Sequence, residues 1–307
     1  MTVAGTPAPA VPPARPACAG RSRLRFLLAG LGAGIASWGV GGRAQPVGPA
    51  PSDLSTRPTG TSPAGGAARQ PNARPPSAPD DGAARQSLTS AFSNANPGGP
   101  LPAGWQEQRL RSIDANRYRL VAEQGQTMLK IESNRSASSV LHRLPPGARP
   151  ARLAWRWRTD SWPSASAAFG DKAGDDFSLR LYLMFDYPLD RVPTGQALAL
   201  RMARALHDPT LPAATLCYVA DPRVPAGTLM ASPYTSRVQV MVIRSAPLSE
   251  AGWQEDRDLE ADFQRAFGSE YGPGMAPVAA VALAADTDQS GSRVNSWFSD
   301  LRWSNVR

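Results

Sequence analysis

Two short acidic segments carry the most chemically capable residues of this 307-residue chain. Asp286-Thr-Asp-Gln-Ser-Gly291 sets Asp286, Asp288 and Ser290 at alternate positions, as the first half of a calcium loop offers oxygens to a hard cation. The second half is missing, because Trp297 stands at the twelfth position, where a helical calcium loop needs an acid. Asp300 or Asp176 would have to complete the coordination. Calcium is the cofactor this spacing suits, and the same segment also reads as an Asp/Ser/Gly turn whose side chains bond local backbone. The other segment, Lys172-Ala-Gly-Asp-Asp-Phe177, places Asp175 and Asp176 at a strand entrance. Adjacent residues there point to opposite faces, so at most one of the two readily joins Arg180 and Tyr182. A glycoside-hydrolysing pair could combine Asp175 or Asp176 with Asp286, Asp288 or Glu255; at strand ends such acids are also commonly structural.

Arg156 and Arg158 alternate with Trp155 and Trp157 and lead into a loop carrying Asp160 and Trp162. Exposed tryptophans would stack on sugar rings, and an exposed arginine pair would grip a carboxylate or phosphate. The competing reading buries Leu153, Trp155 and Trp157 and leaves the arginines outside, paired with acids such as Asp175 or Asp176. Trp297, Leu301 and Trp303 repeat that pattern near the C-terminus. The ligand-binding candidates are therefore Arg156, Asp175, Asp176 and Arg180, and the metal candidates Asp286, Asp288 and Ser290.

Other catalytic equipment is sparse. His142 and His207 are the two histidines, and neither has metal-binding or nucleophile-activating spacing. No serine elbow, zinc-protease motif or phosphate loop occurs in the domain. Cys217 alternates with apolar neighbours in Thr215-Leu-Cys-Tyr-Val219, as a buried inert thiol does.

The elements that must position these residues read as short strands. Phe177, Leu179, Leu181, Leu183 and Phe185 share one parity and belong to a core, while Ser178, Arg180, Tyr182 and Met184 face the other way. Further strands are expected at 105–110, 118–122, 128–133, 151–159, 215–220, 238–244, 278–285 and 297–303. Two helices interrupt them. One spans Gly195 to Leu206 with Leu198, Met202 and Ala205 on an apolar stripe; the other spans Leu259 to Phe267, with acids at its start and Gly268 as its C-terminal cap. Few helices, not alternating with strands, disfavour a parallel sheet. The expected fold is all-β: a two-sheet antiparallel, jelly-roll-like sandwich with one or two short helices.

The formal charge of +8 does not mark a nucleic-acid binder, because residues 1–44 hold five arginines and no acid. From residue 88 onward 24 basic and 22 acidic residues leave a net +2, with no basic stripe interleaved with aromatics. Arg21, Arg23 and Arg25 precede an apolar run from Phe26 to Val40, and Gly42-Arg-Ala44 offers small residues for cleavage. Residues 1–44 thus read as an export signal with an N-terminal extension, leaving no integral membrane span after cleavage. Residues 45–87, rich in Pro, Ala, Gly, Thr and Ser, read as a disordered linker, and 88–307 as the β-sandwich domain. The expected destination is periplasmic or secreted.

Seven ordered segments carry a family resemblance: Leu101-Pro-Ala-Gly-Trp105, Leu153-Ala-Trp-Arg-Trp-Arg158, Lys172-Ala-Gly-Asp-Asp-Phe177, Leu216-Cys-Tyr-Val219, Pro233-Tyr-Thr235, Arg257-Asp-Leu259 and Ala285-Asp-Thr-Asp288. Together they resemble the bacterial domain of unknown function 3047 family over roughly residues 100–304. The resemblance implies an exported or envelope protein with a β-rich fold and no assigned activity. Relatives tend to show Tyr-Val-Trp-Asp, Asn-Pro-Tyr-Thr and a threonine where this chain has Tyr-Val-Ala-Asp221, Ser-Pro-Tyr-Thr235 and Ala285.

The leading functional expectation is non-catalytic binding of a carbohydrate or another envelope polymer. A polysaccharide hydrolase or lyase using paired carboxylates and a purely structural envelope protein are the alternatives.

Overall fold

The computed structural model describes residues 87–164, 167–206 and 209–306. The expected export signal, nearly all of the expected linker and His207 lie outside these residues. Among the described residues no helix is long and apolar enough to cross a membrane.

Thirteen strands form the domain, β1 (Trp105–Arg109), β2 (Arg117–Glu123), β3 (Gln126–Asn134), β4 (Ala137–Arg143), β5 (Pro150–Thr159), β6 (Arg180–Phe185), β7 (Ala214–Ala220), β8 (Leu229–Ser232), β9 (Thr235–Arg244), β10 (Trp253–Asp258), β11 (Val278–Asp286), β12 (Arg293–Phe298) and β13 (Arg302–Val306). One sheet runs β1-β4-β11-β6-β7-β9-β8, and the other β10-β5-β12-β3-β2, with β13 also pairing β5. All-β architecture in two sheets is thus as expected. The expectation of wholly antiparallel pairing is corrected at one place, since β7 and β9 run parallel.

Between the sheets lies the main core. Leu181, Leu183 and Phe185 of β6 meet Trp155, Trp157, Phe298 and Trp303 from the facing sheet. Burying each large ring or aliphatic side chain contributes roughly 1.5–3 kcal/mol. The opposite parity of β6 is not solvated. Tyr182, Cys217, Val219, Val240 and Ala284 form a second core on the outer face, with Phe169, Phe177 and Val224 from the connections packed on it. Arg180 is consequently buried as well.

The helices are α1 (Thr194–Leu206) and α2 (Leu259–Tyr271). Asp258 caps α2 by accepting from the Ala261 N–H, and Phe263 and Phe267 pack on Phe185 at ring-centroid distances of 4.8 and 6.3 Å. The expected Gly268 cap lies inside this helix; Gly272, at φ 83°, ends it one turn later. In α1 the expected apolar stripe is reversed. Leu198 and Met202 are 59% and 57% exposed, whereas Ala197 and Ala203 are the buried residues. Ala203 packs with Leu211, so the small side chains face inward and the larger ones outward.

The expected strand from Trp297 to Trp303 breaks at Ser299–Leu301. Trp303 remains in the main core, but Trp297 faces outward beneath Arg158, whose guanidinium carbon is 3.5 Å from the ring centroid.

Candidate functional site

β6 and β11 are adjacent and antiparallel, with Ala284 opposite Arg180. Asp286 lies two residues beyond Ala284 on the same face, which puts its carboxyl diagonally across from Arg180. The ion pair is 3.3 Å from Arg180 Nη2 to Asp286 Oδ2. A second carboxylate, Asp175, lies 3.4 Å from the same nitrogen, and Arg180 also donates to the Tyr182 hydroxyl at 3.0 Å.

Asp175 and Asp176 diverge, as neighbours at a strand entrance do. Asp175 turns to Arg180, while Asp176 accepts backbone N–H bonds from Gln289 and Ser290. Those two bonds tie the loop after β11 to the segment before β6. Oxygens of Asp176, Asp286 and Asp288 then lie within 4.8 Å of one another. Burial pushes the Asp286 carboxyl well above the usual carboxylate range, against the pull of Arg180. Burial raises Asp175 too, opposed again by Arg180.

This carboxylate corner offers the hard oxygen donors that calcium prefers. Asp286 Oδ2 is enclosed and faces Arg180 Nη2 at 3.3 Å, so a cation there would have to share that oxygen with the guanidinium. Arg180 opposes that occupancy electrostatically. Ser290, expected as an oxygen ligand, supplies its N–H to Asp176, and its hydroxyl accepts from the Ser292 N–H at 3.2 Å. Of the two residues expected to complete the coordination, Asp176 is present. Asp300 instead accepts from the N–H and hydroxyl of Ser93.

Asp176 also lines a cavity of about 110 Å³ with Trp162, Phe177, Asp221 and Arg223. Trp162 is stacked on Trp253 at 5.8 Å, which fixes the indole in the wall. Asp221 is gripped by Arg223, whose Nε lies 2.9 and 3.0 Å from its two oxygens. Nearby, the Tyr234 hydroxyl donates to the Lys172 carbonyl at 3.4 Å. Burial and the charges of Asp175 and Asp286 raise the Tyr234 phenol. Side chains from four of the resembling segments, or from residues directly after them, thus gather at one end of the seven-stranded sheet.

Arg156 does not join them. It lies on the outer face of the other sheet, donating to Gln124 Oε1 and contacting Met128 Sδ. The arginines of β5 are not paired with Asp175 or Asp176 either, since Arg158 meets Glu123 at 2.8 Å. Glu255, a candidate acid, is buried elsewhere, accepting from Trp157 Nε1 and Arg244. Cys217 is buried, and burial pushes its thiol up to about 12.

Sequence reasoning missed Asp221, Arg223 and Tyr234 as site residues. The Asp221-Pro-Arg223 turn was the available sign, because an Asp two residues before an Arg at a strand end can close a bidentate pair.

No curated protein matches the chain. Among solved structures it is similar to the catalytic domain of Humicola grisea Cel12A in complex with a soaked thio-cellotetraose, at 11% identity and TM-score 0.33, covering 72% of this chain and 99% of that one. The xyloglucanase domain of NopAA from Sinorhizobium fredii, in complex with cellobiose, matches at 9% identity and TM-score 0.29, covering 71% and 99%. The arabinose-bound MgGH51 α-L-arabinofuranosidase matches at 11% identity and TM-score 0.35, with 73% of this chain spanning only 27% of that enzyme. Likenesses this distant carry no argument about activity. The family description "Protein of unknown function (DUF3047)" matches residues 103–302, well over half of the chain, and the protein belongs to that family.

Proposed function

We propose that the domain is exported to the periplasm or beyond and binds a carbohydrate or another envelope polymer without turning it over. The observation behind this reading is the shared cavity of Trp162 and Asp176: an indole in the wall beside a carboxylate. Sugar rings stack on indoles, and their hydroxyls donate to carboxylates. Calcium at Asp176, Asp286 and Asp288 belongs to the same proposal, supported by the convergence of their oxygens within 4.8 Å, and would stiffen the wall that Asp176 shares with the cavity.

A hydrolase built on these acids draws support from the clustering of three carboxylates and from the raised Asp286 carboxyl. Burial counts against it. Asp286 has no exposed surface from which to protonate a glycosidic oxygen, and both oxygens of Asp221 are occupied by Arg223.

The test is glycan-array binding by the full-length chain with and without calcium, alongside Trp162→Ala and Asp176→Asn. Binding that both substitutions weaken, with no products released, is the expected result. No binding across a broad panel would sink the proposal, and released saccharides would favour the hydrolase.

A further inference from the structure

The break between β12 and β13 builds a second cavity. β12 leaves β5 at the Phe298–Trp157 pair, and β13 joins it at Arg302–Ala154. Between them Ser299 replaces the missing ladder, its hydroxyl accepting from the Arg156 N–H and its own N–H donating to the Arg156 carbonyl, both at 2.8 Å. Over this gap lies a cavity of about 270 Å³ lined by Gln124, Gln126, Arg156, Gln254, Ser299, Asp300 and Arg302.

The register places both arginines on one wall. Trp303 and Leu153 are paired and face the core, so Arg302 and Ala154 face outward, and Arg156 lies two residues from Ala154 on that same face. Among the described residues neither guanidinium pairs with a carboxylate. Arg156 is held by neutral groups, Gln124 and Met128. Gln124 itself is fixed in a hairpin turn at φ 48°, its amide donating to the Glu250 carbonyl at 3.0 Å. Asp300, the one acid in the lining, is engaged by Ser93. Two arginines against one occupied anion leave the cavity positive, with three carboxamides as donors and acceptors around it.

That combination suits a ligand with one carboxylate and several hydroxyls. A planar guanidinium fork matches a carboxylate, and side-chain amides serve hydroxyls in either hydrogen-bonding sense. We propose that the Arg156–Arg302 cavity binds a uronic-acid residue of a polysaccharide. This rests on the reading that the domain binds saccharides, and places the acidic unit on the opposite sheet from the Trp162 cavity.

The experiment is calorimetric titration of the full-length chain with trimers of galacturonate, glucuronate and mannuronate and with the methyl ester of each. At least one acid trimer binds, its ester binds about tenfold or more weakly, and Arg302→Gln loses a similar factor. Arg302 is exposed, so this variant keeps the fold, which its unfolding midpoint verifies. Arg156→Lys retains charge but not the fork and falls between the two. Uronate binding that Trp162→Ala weakens and Arg302→Gln does not would place the acidic unit at the other cavity and overturn the proposal. Equal binding of acid and ester, wild-type affinity in Arg302→Gln, or no binding by any acid trimer would overturn the proposal.

Discussion

Arg180 Nη2 lies 3.3 Å from Asp286 Oδ2, with side-chain exposures of 3% and 0%. A pair so enclosed is costly to form and more costly to break, because removing one partner strands the other charge away from water. Arg180→Ala is therefore expected to destabilise the domain by about 3–5 kcal/mol in urea unfolding. The same substitution frees Asp175, so the loss is accompanied by exposure of the outer-face core around Tyr182 and Phe177 to a hydrophobic dye. A stability loss below about 1 kcal/mol would show that the corner is already solvated.

His142 gives a pH dependence of known sign. Burial lowers its imidazole below the ordinary value, and the ring is used neutral, in T-shaped contact with Trp105 at 5.3 Å and within 2.8 Å of the Arg143 carbonyl. The folded state therefore binds fewer protons than the unfolded chain just below pH 6.5. The contribution is present above the unfolded pKa and is lost as pH falls through the depressed folded one. The unfolding midpoint should fall between pH 7 and pH 5 more in the wild type than in His142→Gln. Parallel curves for the two proteins would refute the assignment.

Period-two alternation made the core-facing Leu181, Leu183 and Phe185 of β6 legible, because one buried face imposes it directly; Phe177, of the same expected parity, lies before the strand and packs on the outer face instead. The burial of Arg180 and Tyr182 was not legible, since the outer-face cluster around them draws on Val219, Val240 and Val224 from other strands and connections, and Phe177 turns to cover the Arg180 guanidinium at 4.6 Å. β10 was missed for a different reason. Its Trp-Gln-Glu-Asp-Arg-Asp sequence is polar because it is an edge strand, and one of its inward residues is the charged Glu255. In the candidate site both acidic loops were visible as Asp clusters, but their meeting depends on the β6–β11 register, which a single chain does not display. The arginine cavity was hidden by reading 297–303 as one strand.

Gly252 sits at φ 71°, and a Cβ there would stand 2.5 Å from the Trp157 carbonyl oxygen, a backbone atom that cannot swing aside. Gly147, at φ 77°, has open space around the same position. Both alanine variants suffer the left-handed backbone, a cost of about 1 kcal/mol. Gly252→Ala should lose clearly more, because β10 must also shift away from β5. Equal unfolding midpoints for the two variants would show that the contact relaxes freely.

Calcium provides the remaining test of the carboxylate corner. Three acids with oxygens inside 4.8 Å repel one another when ionised, and Arg180 supplies a single positive charge. A divalent cation would relieve that repulsion and bind the folded state alone, so at a hundredfold excess over Kd it adds about 2.7 kcal/mol. The wild type should therefore melt higher in millimolar calcium than in chelator at pH 7. Asp288→Asn removes one negative charge from a partly exposed position and should abolish most of the shift while leaving the chelator midpoint nearly unchanged. Magnesium, smaller and strict in its octahedral geometry, should give a weaker shift, because Ser290 directs an N–H and not an oxygen toward Asp176. An unchanged melting temperature in calcium would mean that Arg180 alone balances these acids and that the corner is a clamp between β6 and the loop after β11.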